Sequence, residues 1–240
     1  MPGAWLILPT YNEAENIGPI VHAARARLRE GDRIVVVDDN SPDGTGAIAD
    51  ELAREVPGVE VLHRPGKQGL GRAYLAGFAH ALAAGADLVL EMDADFSHDP
   101  ADLPRLIAAA EQGADLVLGS RYVRGGSVTD WGLLRRLVSR GGSWYARTVL
   151  GVRVRDLTGG FKCFRRSVLE ALDLDAVHAD GYGFQIELTY RAIQAGFSVV
   201  EVPIVFRDRR VGQSKMNARI ALEAVWKVPA LRSRRNANLS

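Results

Sequence analysis

Residues 33–45 read RIVVVDDNSPDGT, an apolar run followed directly by a polar cluster. The run Ile34–Val37 is short, apolar and mostly β-branched, as in a buried strand, and the cluster is rich in residues that form turns. Outward from this stretch, similar short runs recur through the first 120 residues, at Ala4–Leu8, Arg33–Val37, Val59–His63, Asp87–Met92 and Asp115–Leu118. These five runs are the predicted strands.

Helical patterns separate the predicted strands. Each is rich in alanine and leucine, and they cover Ala14–Arg29, Thr45–Glu55, Gly71–Ala84 and Ala101–Gln112. Strands that alternate with helices favour an α/β fold, a mostly parallel sheet with helices on both faces in one domain. Ligands on such sheets bind at the carboxyl ends of the strands.

After Gly119 the alternation breaks. Residues Arg124–Asp130 are polar and glycine-rich, which predicts a loop. Further segments are predicted as helices at Trp131–Leu150, Arg165–Leu172, Phe184–Ala195 and Asn217–Lys227, and as a strand at Ser198–Phe206. Pro203 within that strand favours an edge position or a strand end, because proline cannot donate to the ladder.

Composition narrows the classes of function. The 240-residue chain is 47% hydrophobic and 25% charged, and its net charge of +1 gives no bulk attraction to nucleic acid. A single cysteine, Cys163, excludes an internal disulfide and suits a reducing, cytoplasmic compartment. The N-terminus has no signal-peptide pattern, and no apolar run reaches the roughly 18 residues of a membrane span. Any contact with a membrane is therefore expected to be peripheral, at the bilayer surface.

Three polar clusters follow predicted strands, at residues 9–13, 38–44 and 93–95. Because parallel strands end at one edge of a sheet, these clusters are expected to share one crevice. In the third cluster, Asp93 and Asp95 flank Ala94, so both carboxylates can approach one divalent cation while a diphosphate supplies further oxygens. Mg²⁺ and Mn²⁺ suit such ligands. The alternative to a metal site is a solvated acidic turn before a helix that starts near Pro100. Because the three clusters are expected at the same edge of the sheet, we favour the metal site.

The second cluster allows two roles. Carboxylates of Asp38 and Asp39 at a strand end can accept hydrogen bonds from a nucleobase or a ribose. Asn40, Ser41 and Asp43 are equally suited to an Asx turn and a helix cap. Both roles are compatible, with Asp43 as a cap and Asp39 as a ligand contact.

A glycine-rich loop, Gly66–Arg72, opens the third helical pattern. Helix N-termini attract phosphate, so the loop is either a backbone approach site at which Lys67 meets phosphate or a plain turn with a solvated lysine. It matches neither a P-loop nor the dinucleotide-binding fingerprint.

The second half concentrates cations in two spans. The first contains Arg121, Arg124, Arg135, Arg136 and Arg140, and the second contains Arg207, Arg209, Arg210 and Lys215. Arginine binds phosphate oxygens in a bidentate manner, so these spans indicate a second, anionic substrate unless they are ordinary solvated faces. Few aromatic residues and the acidic clusters argue against nucleic acid as a partner. His98 is either a ligand or base, or it packs locally.

Together, these residues resemble one enzyme family, and some of the motifs resemble a more specific group within it. Residues 8–13 (LPTYNE), 37–45 (VDDNSPDGT) and 92–98 (MDADFSH) resemble glycosyltransferase family 2. More specifically, the chain resembles dolichol-phosphate (polyprenyl-phosphate) mannose synthases at residues 119–122 (GSRY), 158–161 (TGGF), 181–185 (GYGFQ) and 212–215 (GQSK). The resemblance runs from about Trp5 to Met216.

The resemblance implies an inverting, metal-dependent enzyme of the Rossmann-like GT-A fold. The implied donor is GDP-mannose, the ion is Mg²⁺ or Mn²⁺, and the acceptor is a polyprenyl (dolichyl) monophosphate. Residues 1–216 would form the catalytic domain, with a nucleotide-sugar half at 1–120 and an acceptor half at 121–216. Residues 217–240 would add an amphipathic helix and a basic tail.

The resemblance also implies roles for individual residues. The nucleotide would be held by Pro9, Tyr11, Glu13, Val37 and Asp39, and we add Lys67 and Ala94 as further candidates for this role. Acceptor phosphate or donor diphosphate would be held by Arg121, Arg135, Ser139, Gln185, Arg209 and Lys215. The metal would be held by Asp93, Asp95 and Ser97, and the catalytic residues would be Asp93, Asp95 and Arg121.

Two positions depart from the family pattern. The family often has a glutamine two residues after the second aspartate of D-x-D, as a further metal ligand. Here that residue is Ser97, so a hydroxyl or a water has to replace the amide. At Gly183, bulkier residues are common in the family.

The C-terminal segment Ile220–Arg235 mixes apolar and basic residues. Such segments can lie on an anionic membrane surface, which would make the protein peripheral at the cytoplasmic face. Pro229 would interrupt a long helix, so a packing helix with a basic tail is an equal alternative. A membrane-embedded partner protein is a further candidate.

Two rival functions stay open at the level of sequence. The first is a family 2 transferase that uses UDP-glucose or UDP-N-acetylglucosamine. The second is a non-catalytic subunit that binds a nucleotide sugar. Asp93, Asp95 and the arginines weigh against the second, and Ser97 weighs slightly for it.

Overall fold

The alternation predicted for the first 120 residues is confirmed. In the computed structural model, which describes residues 3–177, 181–208 and 228–232, this half contains β1 (Ala4–Thr10), α1 (Ala14–Arg25), β2 (Arg33–Asp38), α2 (Thr45–Glu55), β3 (Val59–His63), α3 (Leu70–Ala83), β4 (Leu88–Glu91), α4 (Leu103–Glu111) and β5 (Leu116–Ser120). The helix predicted from Ala101 is divided, because a short 3₁₀ helix, Pro100–Asp102, precedes α4.

The second half combines two long helices with short strands. Its elements are β6 (Ser127–Val128), α5 (Leu133–Leu150), β7 (Lys162–Arg165), α6 (Arg166–Ala171), α7 (Gly181–Gln194), β8 (Val199–Pro203) and β9 (Val205–Phe206). The strand predicted at Ser198–Phe206 is divided into β8 and β9. Pro203 is the last residue of β8, at the edge of the sheet, as its missing N–H predicts.

Seven strands form one sheet in the order β3-β2-β1-β4-β7-β5-β8. Every pairing is parallel except those of β7, which is antiparallel to both β4 and β5. The predicted mostly parallel sheet is therefore confirmed. Because β7 runs in the opposite direction, its first residues lie at the edge where its neighbours end.

Two short strands were missed at the level of sequence. β7 has only four residues and begins with a lysine, so it lacks the apolar pattern of a central strand, and its pairing partners are distant in sequence. The predicted loop Arg124–Asp130 contains β6, which pairs with β9 at Ser127↔Val205 and Val128↔Phe206. Two-residue strands carry no periodicity, so only tertiary contacts reveal them.

Helices cover both faces of the sheet, as predicted. Alternate side chains of β1 point to opposite sides. Leu6 and Leu8 belong to the core on the face of α1, α2 and α4, whereas Ile7 belongs to the core on the face of α3, α5 and α7. Gly77 lets α3 approach the sheet closely, because a Cβ there would lie 2.3 Å from Ile7 Cγ2.

The predicted helix Asn217–Lys227 lies outside the described residues. Residues 228–232 form a helical turn in which Val228 is buried in the core and Arg232 Nη1 donates to the carbonyl of Val149 at 2.7 Å. This part of the C-terminal segment therefore packs on the domain. Among the described residues, no helix is both long enough and apolar enough to span a bilayer.

Candidate active site

The carboxyl ends of β1, β2 and β4 open into one cavity. Its wall includes members of all three polar clusters, namely Pro9, Tyr11, Glu13, Asp39, Asp93, Ala94 and Asp95, together with nearby Ser97. The same wall includes Lys67 of the glycine-rich loop and, from the second half, Arg121, Arg135 and Gln185. The structure thus brings together acidic and basic residues from distant parts of the chain.

Some predicted site residues are not on this wall. The side chain of Val37 is fully buried in the core beside Gly77, so a nucleotide contact here would have to use the backbone. The hydroxyl of Ser139 is 2.6 Å from the hydroxyl of Tyr122, the residue after Arg121. Arg209 and Lys215 lie outside the described residues.

The carboxylates in the turn after β2 have two different roles: two of them stabilise the local structure and one faces the cavity. Asp38 accepts hydrogen bonds from the Thr10 hydroxyl at 3.0 Å and the Ser41 hydroxyl at 2.6 Å. Asp43 accepts from the backbone N–H groups of Thr45 at 3.1 Å and Ala14 at 3.0 Å, so it stabilises the starts of α2 and α1. Neither residue lines the cavity, and Asp39 does.

Asp39 has a basic partner that was not predicted. The Arg64 guanidinium donates to its carboxylate and also to Gln68 Oε1 at 3.0 Å. Burial raises the pKa of Asp39, and the charge of Arg64 opposes this effect only in part. Arg64 therefore orients the carboxylate that faces the cavity.

The glycine-rich loop closes this side of the cavity. Gly69 adopts φ 101°, which few other residues tolerate, and α3 begins at the next residue. Lys67 Nζ lies 4.2 Å from the centre of the Tyr11 ring. A cation held on an aromatic face at the cavity wall can meet a phosphate or a base.

The D-x-D carboxylates are oriented by neutral donors. The Tyr74 hydroxyl donates to Asp93 Oδ1 at 3.0 Å, and the Ser97 backbone N–H donates to Asp95 Oδ1 at 3.0 Å. Tyr74 is fully buried, and burial together with the nearby Asp93 charge raises its pKa well above the usual value. Tyr74 therefore stays a donor at physiological pH.

These residues fit a divalent cation. Two carboxylates and a hydroxyl are hard oxygen ligands of the kind that Mg²⁺ and Mn²⁺ accept. Among the described residues, no group of three or more His, Cys, Asp and Glu side chains could enclose a metal ion. Further ligands would therefore come from Ser97, water and a diphosphate.

His98 is neither solvated nor charged. It is buried on the cavity wall between the rings of Phe161 and Phe206, at centroid distances of 5.1 and 5.2 Å. Burial lowers its pKa to about 4, so it is neutral near pH 7. The predicted packing role is therefore confirmed, and a ligand role at the cavity wall is not tested.

Arg121 is held by a buried carboxylate. Its Nε and Nη2 donate to Asp156, each at 2.7 Å, and Nη2 also donates to the Thr158 hydroxyl at 2.8 Å. Burial alone would raise the pKa of Asp156, but the charge of Arg121 outweighs it and the pKa is lowered. Aromatic rings surround the guanidinium, with Phe206 at 5.3 Å.

Arg135 lies at the exposed rim of the cavity. Its Nη1 donates to Asp208 Oδ2 at 3.0 Å, and both side chains are more than one-third exposed. Its guanidinium also lies 4.2 Å from the Trp131 ring, which packs edge-on against Phe206. The β6–β9 pair therefore brings an aromatic cover over both arginines.

A buried ionic pair lies behind the D-x-D turn. Lys162 Nζ is 3.4 Å from Glu91 Oε1, and neither side chain is exposed. Burial raises the pKa of Glu91 and lowers that of Lys162, and the opposite charge of each partner counters the shift. Lys162 also donates to the backbone carbonyl of Gln185 at 2.9 Å.

The residues missed by sequence reasoning are partners of residues it found. They are Arg64, Tyr74, Trp131, Asp156, Thr158 and Lys162. Thr158 opens the quoted motif 158–161 and Asp156 lies two residues before it, but neither was assigned to the site. The others lie in helices, loops or strands without any polar motif, and only long-range contacts reveal them.

The chain has close relatives of known activity. Residues 5–173 match the profile of the Glycosyl transferase family 2. A polyprenol monophosphomannose synthase of Mycolicibacterium smegmatis is 52% identical over 227 residues, which cover 93% of this chain and 84% of that protein. An undecaprenyl-phosphate mannosyltransferase of Micrococcus luteus is 49% identical over 222 residues, which cover 92% of this chain and 90% of that protein.

The fold is similar to that of a solved GT-A glycosyltransferase. Glucosyl-3-phosphoglycerate synthase from Mycobacterium tuberculosis, solved with Mn²⁺ and UDP-glucose, superposes with a TM-score of 0.73. The alignment covers 97% of this chain and 79% of that chain at 22% identity. At this identity the similarity establishes the fold and leaves the substrate to other evidence.

Proposed function

Because the chain belongs to glycosyltransferase family 2, we propose that it transfers mannose from GDP-mannose to a polyprenyl (dolichyl) monophosphate with inversion at the anomeric carbon. The observation that best supports this proposal is that Asp93, Asp95, Arg121 and Arg135 line the same cavity. Such a cavity suits a donor that needs a cation and an acceptor that is an anion. The names of the two relatives of about 50% identity support the same sugar and the same class of acceptor.

The donor nucleotide would occupy the side formed by the first half. Asp39, oriented by Arg64, would accept hydrogen bonds from the base or the ribose. Tyr11 and Lys67 would cover the nucleotide, with Pro9, Glu13, Ala94 and the backbone of Val37 as further contacts. Guanine as the base is part of the proposal and rests on the resemblance.

Asp93 and Asp95 would hold a Mg²⁺ or Mn²⁺ ion, with the Ser97 hydroxyl or a water in the position of the family's glutamine. When bound, the ion supplies charge neutralisation for the departing diphosphate. The Mn²⁺ in glucosyl-3-phosphoglycerate synthase supports a divalent ion on this fold.

The acceptor phosphate would bind on the basic side. Arg135 at the rim and Arg121 deeper in the cavity would donate to it, with Ser139, Arg209 and Lys215 as further candidates. Gln185 would contact either this phosphate or the donor diphosphate. The Nη1 of Arg121 makes no hydrogen bond within the described part of the chain. That nitrogen is therefore free to donate to a phosphate oxygen.

The reaction needs no strong base. An acceptor phosphate oxygen is already anionic near neutral pH, so no proton has to be removed for it to attack the anomeric carbon. The bond from that carbon to the diphosphate oxygen breaks, and the nucleoside diphosphate leaves with the electron pair. Arg121 and Arg135 would orient the phosphate in line with the breaking bond.

The test is a transfer assay with purified protein, radiolabelled GDP-mannose, Mg²⁺ or Mn²⁺ and a short polyprenyl phosphate. Label in the lipid phase, absent without metal, is the expected result. Parallel reactions with UDP-glucose and UDP-N-acetylglucosamine test the donor. Transfer from a UDP-sugar alone would overturn the donor assignment, and metal-dependent nucleotide binding without any transfer would favour a non-catalytic subunit.

We further propose that the protein is peripheral at the cytoplasmic face of a membrane, alone or with a membrane-embedded partner protein. The support in the described residues is the outer face of α5. Leu137, Val138 and Trp144 are 60%, 61% and 65% exposed, and Arg136 and Arg140 lie among them. Apolar and basic residues on one helix face suit an anionic bilayer surface. Arg135 on the same helix would then be close to the lipid headgroups.

Vesicle flotation tests this contact. The double variant Leu137→Ser/Trp144→Ser should float less with anionic vesicles than the wild type, because it loses apolar surface. Val200→Ser, at an exposed valine on edge strand β8, is the matched control. Equal flotation of all three proteins would contradict a contact through α5.

A further inference from the structure

We infer that Lys162 is a positioning residue: it holds the side-chain amide of Gln185 so that the amide nitrogen is presented to the donor substrate. The inference rests on the proposed function, since it names what one part of that active site does with a nucleotide sugar.

Three polar side chains meet behind the D-x-D turn, and all three are buried. Glu91 and Lys162 are 0% exposed and Gln185 is 3% exposed. Glu91 ends β4 two residues before Asp93, and Lys162 is its direct partner on the antiparallel strand β7. Lys162 reaches from the sheet to α7, which carries Gln185.

Stability alone does not explain this ionic pair. Removing two charges from water is costly, and buried pairs can often be replaced by apolar side chains of similar volume without loss. Lys162 therefore calls for a second role. Its contacts with Gln185 supply one.

The ammonium group fixes the orientation of the Gln185 amide. Lys162 Nζ donates to the backbone carbonyl of Gln185 at 2.9 Å and also to its side-chain Oε1. An ammonium group has no acceptor, so the amide oxygen has to face Lys162 and the amide nitrogen has to face away. The Gln185 amide also lies within reach of the Glu91 carboxylate, where a hydrogen bond from it opposes the rise in the pKa of Glu91. Its buried nitrogen still makes no contact of full hydrogen-bond geometry with any described residue.

The amide nitrogen lies next to the proposed diphosphate site. A Cβ placed on Gly160 would be 3.3 Å from Gln185 Nε2 and 3.9 Å from Asp93 Oδ2. Gly160, Gln185 and Asp93 all line the cavity. Buried donors in folded proteins are nearly always paired. The amide nitrogen has two N–H groups, so one can point to Glu91 while an oxygen of the diphosphate or of the sugar accepts from the other.

Four variants test the inference. Gln185→Met removes the amide, and Gln185→Glu keeps an oxygen for Lys162 but replaces the nitrogen donor. Glu91→Gln/Lys162→Met removes the anchor without leaving a buried unpaired charge, and the triple variant adds Gln185→Met. We expect kcat/KM to fall about 10- to 100-fold in each. The triple variant should be no worse than the double variant, because the anchor acts only through Gln185.

Nucleotide binding separates this role from a structural one. Calorimetry with Mn²⁺ and either GDP or GDP-mannose should show weaker binding in the variants at unchanged melting temperature. If both ligands bind more weakly, the oxygen that accepts the hydrogen bond from Gln185 belongs to the diphosphate. If only GDP-mannose binds more weakly, that oxygen belongs to the sugar. Gln194→Met, at an exposed glutamine of the same helix, is the control and should match the wild type.

Two results would overturn the inference. One is a folded double variant with wild-type binding and turnover. The other is a triple variant that loses as much beyond the double variant as Gln185→Met loses from the wild type. Wild-type protein that transfers no mannose, while its nucleotide binding still depends on Lys162 and Gln185, would instead refute the proposed function and leave this inference standing.

Discussion

The acidic and the basic walls of the cavity are built in different ways. On the acidic wall, two neutral donors help to orient Asp93 and Asp95, namely the Tyr74 hydroxyl and the Ser97 backbone N–H. On the basic wall, each arginine is paired with a carboxylate, Arg121 with buried Asp156 and Arg135 with exposed Asp208.

The two kinds of partner have different effects on charge. A neutral donor such as the Tyr74 hydroxyl fixes the position of a carboxylate oxygen without adding an opposite charge. The arginines are balanced by the protein itself, so they contribute hydrogen-bond donors at fixed positions more than they contribute net charge. Substitutions on the acidic wall should therefore mainly reduce turnover. Substitutions on the buried part of the basic wall should mainly reduce the free energy of unfolding.

The largest effect is expected at Asp93. Asp93→Asn keeps the size of the side chain and removes its charge, so kcat should fall at least about 1,000-fold, or about 4 kcal/mol of transition-state stabilisation. Melting temperature should change little. The transfer assay and a thermal melt check this, with Asp50→Asn on α2 as the control. If the variant kept normal metal-dependent turnover, the proposed role of Asp93 in the active site would be wrong.

The next effect is on stability and concerns the basic wall. Asp156→Ala leaves the Arg121 charge buried and unpaired, which should lower the free energy of unfolding by about 3–5 kcal/mol. Asp208→Ala removes the partner of an exposed arginine and should cost less than about 1 kcal/mol. Urea titrations of both variants measure the contrast. Equal losses would mean that the two pairs are alike and would break the comparison.

A smaller effect is expected at Tyr74. Tyr74→Phe removes the donor to Asp93 and keeps the ring stacked on Phe184. Loss of a partner that orients a metal ligand typically costs about 10- to 100-fold in metal affinity or activity. Mn²⁺ titration followed by turnover measures it. The control is Tyr190→Phe, whose buried hydroxyl has no hydrogen-bond partner among the described residues; a similar loss there would argue against a specific role for Tyr74.

The smallest effect is a pH dependence. The Asp156 pKa is lowered in the folded state, so its contribution to stability is present above the unfolded pKa of about 4 and is lost as pH falls through the folded value. The stability gap between wild type and Asp156→Asn should therefore be constant from pH 8 to 5 and should shrink only in more acidic solution. Denaturation curves across this range check it, and a gap that closes near pH 6 would contradict a lowered pKa.

Much of the fold could be predicted from local pattern. The five apolar runs and the helices between them are present within a few residues, because a buried parallel strand and an amphipathic helix leave distinct periodicities. β7 and β6 were not predicted, and β9 was predicted only as the end of one longer strand, Ser198–Phe206. They are short, and β7 begins with Lys162, so their places in the sheets depend on partners far along the chain.

The candidate site divides in the same way. Asp39, Asp93, Asp95 and Lys67 could be found because polar residues after apolar strands are a local signal. Arg121 could be found as a cation within a motif, but its buried partner Asp156 could not, since nothing in the sequence joins the two residues.

The strand–helix alternation, the acidic turns at the strand ends and the family could all be read from local pattern along the chain. The pairing of charges could not, because it depends on the three-dimensional packing. Arg64 meets Asp39, Tyr74 meets Asp93, and Lys162 meets Glu91 and Gln185 through the antiparallel strand β7. The physical reason is range: turns and periodicities arise from neighbours in the chain, whereas the partner of a buried charge is set by the packing of distant elements.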